Sequence, residues 1–130
     1  MQARRPTPLG RRESGTRWEK VAESFLRSRG LKLLKRNFPS RFGEIDLVME
    51  DRDTLVFIEV KFRHRTQHGS GAEAVTQQKQ VKISRTAAWY LARHPYRAEQ
   101  ACRFDVISVT DGNADEEIEW IKGAFYAHNS

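Results

Sequence analysis

Trp18, Val21, Ala22, Phe25 and Leu26 recur at i, i+3, i+4, i+7 and i+8, the spacing of one apolar stripe along an α-helix. Ser14 is placed to cap the start of that helix, and Gly30 to end it. The pattern then changes to three strand-like stretches over residues 31–38, 42–50 and 54–63. Pro39 and Ser40 are expected to break the first from the second, and residues 51–53 the second from the third. A polar loop follows, and a long helix is predicted over about 72–94. Val75, Ile83, Ala87, Tyr90 and Leu91 fall on one side of it, and Pro95 marks its end. Residues 102–110 alternate as a strand, Asp111, Gly112 and Asn113 supply a turn, and 117–125 form a last strand. The order α-β-β-β-α-β-β predicts an α/β fold. The first three strands ask for antiparallel pairing, and the strand, long helix, strand unit asks for at least one parallel pair, hence a mixed sheet with helices packed on it.

Composition narrows the class. The chain has 130 residues, enough for one domain, with 38% hydrophobic and 31% charged residues. Residues 1–13 hold Arg, Pro, Thr and Gly with almost nothing apolar and are expected to be a disordered basic arm, leaving 14–127 as a single domain. No run approaches the ~18 apolar residues of a membrane span, so no membrane partner is expected. Cys102 is the only cysteine, which excludes an internal disulfide and a cysteine-based zinc cluster. Arg4, Arg5, Arg11 and Arg12 lack an apolar core beside them, unlike a secretory signal, and a cytoplasmic location is expected. Lys and Arg number 23 against 17 Asp and Glu, for a net charge of +6, and this balance favours nucleic acid as partner.

The chemistry concentrates in Gly43-Glu44-Ile45-Asp46-Leu47-Val48 and Phe57-Ile58-Glu59-Val60-Lys61. Alternation along a strand places Glu44 and Asp46 on one face with Ile45 and Leu47 on the other, and groups Glu59 with Lys61. A two-residue Arg52-Asp53 turn would set Asp46 directly across from Glu59, and Glu44 across from Lys61. Opposed carboxylates on otherwise apolar strands need a cation between them, or one must take up a proton. Mg²⁺ answers that need, because it takes one or two carboxylates and fills its remaining positions with water and phosphate oxygens. Lys61 would stand beside it to steady charge on a phosphate or assist an attacking water. By spacing alone, this set serves equally well as a phosphodiesterase centre or as a carboxylate–lysine network that satisfies a polar sheet face.

Gly43-Glu44-Ile45-Asp46-Leu47 followed by Phe57-Ile58-Glu59-Val60-Lys61-Phe62-Arg63 resembles the YraN-like family of uncharacterised bacterial proteins. That family is a predicted member of the PD-(D/E)XK nuclease superfamily, distantly similar to archaeal Holliday junction resolvases. Gly15, Glu19 and Ala22, then Asn37, Lys79 and Arg103-Phe104-Asp105, extend the resemblance over nearly the whole chain after the arm. It implies a restriction-endonuclease-like, three-layer α/β/α core around a mixed sheet. It further implies that Asp46 and Glu59 are ligands of Mg²⁺ or Mn²⁺, that Lys61 is the catalytic lysine, and that Glu19 is a further ligand. Ile45 stands where the superfamily name puts proline. The activity implied is metal-dependent endonuclease action on DNA, rather than RNA, with branched or structured substrates in view. The alternative is a nucleic-acid-binding module of the same fold that cuts nothing.

Other residues are candidates for binding. Lys79 falls between Val75 and Ile83 on the inward face of its helix, where a lysine either snorkels or reaches phosphate, and phosphate is favoured. Arg63 and Arg65, in the basic stretch leaving the third strand, are expected to contact nucleic acid together with Arg11 and Arg12 of the arm. Periodicity alone makes Glu19 a solvated helix-face glutamate. Arg103 and Asp105 share a strand face and read as a structural ion pair, and Trp89 and Tyr90 read as core. Branched substrates would favour a two-fold homodimer.

Overall fold

A computed structural model of the protein describes residues 11–64, 75–111 and 117–128, without the side chains of 11–16, 64 and 111. Its elements are α1 (Arg11–Ser28), β1 (Lys32–Ser40), β2 (Gly43–Asp51), β3 (Thr54–His64), α2 (Gln77–Arg93), β4 (Ala101–Asp111) and β5 (Glu117–Phe125), with a short 3₁₀ turn at Pro95–Arg97. The strands lie in one sheet in chain order. β3 and β4 run parallel, and the other neighbours are antiparallel. The mixed sheet and the order of elements are those the sequence predicts.

Each helix covers one face. Trp18, Ala22 and Leu26 of α1 pack with Leu47, Met49, Val56, Ile58, Ile107 and Val109. Ile83, Ala87 and Tyr90 of α2 pack with Ile45, Val48, Leu55, Phe57, Phe104 and Val106 on the other face. The result is a three-layer α/β/α core. Leu26 and Ala22 are wholly buried, so the stripe read from spacing is the face that α1 buries.

The helix ends follow local chemistry. Leu31 N–H donates to the Leu26 carbonyl and Gly30 N–H to that of Arg27, with Gly30 at φ +95°. These two bonds make a Schellman closure, which needs a residue free to take positive φ. Thr76 caps α2 by accepting the Lys79 N–H on its hydroxyl at 3.1 Å. α2 therefore starts at Gln77, later than expected, with Val75 buried just ahead of it. α1 starts at Arg11, ahead of Ser14, so residues 11–13 of the expected arm stand in the helix. Residues 1–10 lie outside the described residues.

Two local expectations are corrected. Pro39 and Ser40 belong to β1, and the turn falls at Arg41 and Phe42. Proline is tolerated there because β1 is an edge strand, whose outward N–H positions need no partner. Secondly, Ile45 and Leu47 do not share a face: Ile45 joins the α2 side of the core and Leu47 the α1 side. The cause lies in β1. Arg36 pairs with Leu47 and Phe38 with Ile45, and Asn37 between them takes φ +50°. A left-handed residue breaks the alternation of β1, and β2 follows it at Asp46.

Candidate metal and phosphate site

The bend at Asn37 and Asp46 opens the sheet. β2 and β3 pair from Asp51↔Thr54 to Leu47↔Ile58, the register that the two-residue turn predicts. There the ladder stops. Beyond it β2 stays with β1 down to Gly43, while β3 stays with β4 up to His64. In the fork between them the Asp46 carboxylate, rather than a β2 carbonyl, accepts the Val60 N–H at 2.8 Å. Glu44 consequently faces Pro39 across β1 and stands exposed, with no ladder partner at Lys61.

A cleft of about 490 Å³ lies at the fork, lined by Phe42, Gly43, Glu44, Asp46, Glu59, Lys79 and Lys82 among others. Asp46 and Glu59 thus open into one space, but not as the directly opposed ladder pair expected, since the ladder ends at Leu47↔Ile58 and Asp46 bonds Val60 N–H instead. Glu59 is only 5% exposed. Its Oε2 accepts the Lys79 ammonium at 2.8 Å, and Lys61 Nζ lies 3.9 Å from the same oxygen. Burial first, and then the charge of Glu59, push Asp46 up to about 8, against the bond from Val60 N–H; the Glu19 charge adds to the rise. Burial would lower Lys79, but the hydrogen bond and charge of Glu59, with the charge of Asp46, hold it above its ordinary range.

Glu19, on α1, is half-buried, and its Oε1 accepts the Asn37 side-chain amide at 2.7 Å. The bent residue of β1 therefore fixes the acidic residue of α1. Lys79 meets a carboxylate first, so its strongest contact is not one that leaves it free for phosphate alone. Among the described residues no three His, Cys, Asp or Glu side chains gather as a ready-made metal cage. The donor set is two desolvated carboxylate groups, which suits a hard ion that keeps water and substrate oxygens in its other positions.

The profile of the uncharacterised protein family UPF0102 matches residues 18–109. The chain belongs to that family. A UPF0102 protein of Nitrosococcus oceani is 40% identical over 91% of this chain and 95% of its own length. One from Enterobacter sp. strain 638 is 44% identical over 95% of this chain and 92% of its own. The YraN protein of Escherichia coli is 42% identical, with the same coverage. Among solved structures, Pyrococcus furiosus SfsA in complex with Ca²⁺ is similar at 14% identity, over 85% of this chain and 63% of that one. Its TM-score of 0.35 is too low to bear on the chemistry. The matched span of the UPF0102 family holds every element of the fork, from Glu19 to Lys82.

The remaining candidates are spread out. Arg63 is half-buried at the end of β3, and the backbone of Arg11 and Arg12 opens α1. Arg65 lies outside the described residues. Arg103 and Asp105 do form a structural pair: wholly buried Asp105 accepts from Arg103 Nε and Nη2, from Trp120 Nε1 and from Gly123 N–H, all at 2.9 Å. Tyr90 is core at 3% exposure, but Trp89 is 45% exposed, which corrects its assignment to the core. Its position in the sequence carries the signal, since two residues after Ala87 is about 200° round the helix, away from the stripe. Lys82 also lines the cleft, and its signal in the sequence is its place one helical turn beyond Lys79. No described helix is long and apolar enough to cross a membrane.

Proposed function

We propose that this protein is a divalent-metal-dependent endonuclease acting on DNA, with branched or otherwise structured DNA as substrate. One observation carries the reading: Asp46 and Glu59 are desolvated together at a break in the sheet, with lysines on the cleft side, where a hydrophobic pair would have served the fold better. Buried charge that costs stability and opens into a cleft is what a site for a cation and a phosphate requires.

Asp46 and Glu59 would hold Mg²⁺ or Mn²⁺, with Glu19 close enough to add its charge. When bound, the ion supplies Lewis-acid charge to a phosphoryl oxygen and acidifies a water. Lys61, beside Glu59, donates to the phosphate oxygen on which charge builds as water attacks phosphorus and the P–O bond to the leaving oxygen breaks. Lys79 and Lys82 would hold the phosphate, Lys79 with its ammonium turned from Glu59 toward the substrate. Arg63, Arg65, Arg11 and Arg12 supply phosphate contacts without choosing sequence. The protein works in the cytoplasm, and a two-fold dimer would match a branched substrate.

A second reading, a nucleic-acid-binding module that cuts nothing, has the Lys79–Glu59 contact in its favour, because that ammonium already gives Glu59 a cation. Calorimetric titration with Mn²⁺ separates the two. The nuclease reading expects binding to the wild type that Asp46→Ala abolishes and Lys79→Ala strengthens. No binding to the wild type at millimolar Mn²⁺, or equal binding to Asp46→Ala, contradicts it.

A further inference from the structure

Phe42 lines a second space besides the carboxylate cleft. This second space is a groove of about 710 Å³ between the β1–β2 turn and the outer side of α2, lined by Arg41, Phe42, Arg85, Ala88, Trp89 and Ala92. Its apolar lining is made of Ala88, Ala92 and the rings of Phe42 and Trp89. The cations stand at the ring faces: the Arg41 guanidinium carbon lies 5.1 Å and that of Arg85 5.6 Å from the Phe42 centroid. Arg93 stands 5.5 Å from the centroid of Trp89. All three arginines and Trp89 are exposed.

The exposed Trp89 and the half-buried Phe42, beside guanidinium groups that make no ion pair among the described residues, are what an unpaired nucleotide asks for: an aromatic surface for the base and positive charge for its phosphate. Duplex DNA has no use for such a lining, since its bases are stacked on one another. An apolar peptide would use the lining but gains nothing from the arginines, and an acidic one would leave the rings unused. The groove also joins the candidate site through Phe42, so a strand passing Lys82 and Lys79 reaches it directly. We propose that this groove is a stacking subsite for an unpaired nucleotide next to the scissile phosphate, so that the preferred substrate carries a single-stranded segment at the point of cleavage. The inference rests on the nuclease reading and specifies its substrate.

The test compares a blunt DNA duplex with the same duplex carrying a single-stranded tail, using fluorescence anisotropy in EDTA so that no cutting intervenes. Wild type should bind the tailed duplex more tightly. Trp89→Ala should lower that affinity by roughly tenfold, the share of one stacked base. Trp89→Phe should restore most of it, and thermal melting of each variant reports whether the fold is intact. Arg41→Gln with Arg85→Gln should reduce the salt slope on a single strand by roughly 1.4, two phosphate contacts' worth. Equal affinity of wild type and Trp89→Ala for the tailed duplex, with duplex binding retained, overturns the subsite alone and leaves the groove to a protein partner. Failure of wild type to bind either DNA overturns the nuclease reading along with it.

Discussion

Asp46 carries a carboxylate whose ionisation is opposed by burial and by the charge of Glu59, so it titrates near 8 against an ordinary 3.8. The folded protein therefore holds the Asp46 proton more tightly than the unfolded chain does. Stability drawn from that proton is fully present below about pH 4, declines as pH rises, and is lost above the folded value. Asparagine at this position has no proton to lose. In EDTA, Asp46→Asn should melt above the wild type at pH 9, and the gap should shrink steadily as the pH is lowered toward 4. Parallel melting curves for the two proteins across that range would mean that Asp46 is ionised and solvated in the fold. The gain on removing a candidate ligand is the usual mark of a residue kept for chemistry at a cost in stability.

The bend in β1 is the element on which this geometry rests, and it hangs on Asn37. Replacing Asn37 by alanine or by glycine removes the amide that holds Glu19, but only alanine keeps a Cβ that disfavours φ +50°. Asn37→Gly should therefore be more stable than Asn37→Ala by roughly 0.5–1 kcal/mol in urea unfolding, although glycine is the poorer strand residue. An alanine variant at least as stable as the glycine one would show that the left-handed conformation is not what shapes the strand. How far these elements are legible in the sequence follows from how local their causes are. The α1 stripe and the Schellman glycine depend on near neighbours, and so does the Asp51↔Thr54 turn that fixes the β2–β3 register as far as Leu47↔Ile58. The bend is not legible, because Asn37 meets its partner Glu19 only when α1 packs against β1, 18 residues away in the chain. The same holds for Lys79, whose ammonium finds Glu59 only after α2 docks. Trp89 is legible by helical phase, which turns it away from the stripe that holds Ala87 and Tyr90.

Among the described residues, the two helices bury the two faces of the sheet and the cleft lies at the fork between β2 and β3, so the candidate site and the core occupy different parts of one small domain. Around the fork the charges are sorted: carboxylates at the floor, Lys79 and Lys82 along one wall, Arg41 and Arg85 beyond Phe42. This is the order in which a metal, a scissile phosphate and a flanking nucleotide would meet the protein. The net charge of +6 agrees with the proposed nucleic-acid partner, but charge alone does not separate a nuclease from a binder. Cleavage does. Labelled junction, flap and single-stranded DNA should be incubated with wild type and with Lys61→Ala, each with Mg²⁺ or Mn²⁺. The account predicts that the wild type cuts a substrate with a single-stranded segment, and that Lys61→Ala binds it but cuts about 10²-fold more slowly, as when one positioned charge is taken from a developing oxyanion. A wild type that binds these substrates and cuts none of them with either metal contradicts it.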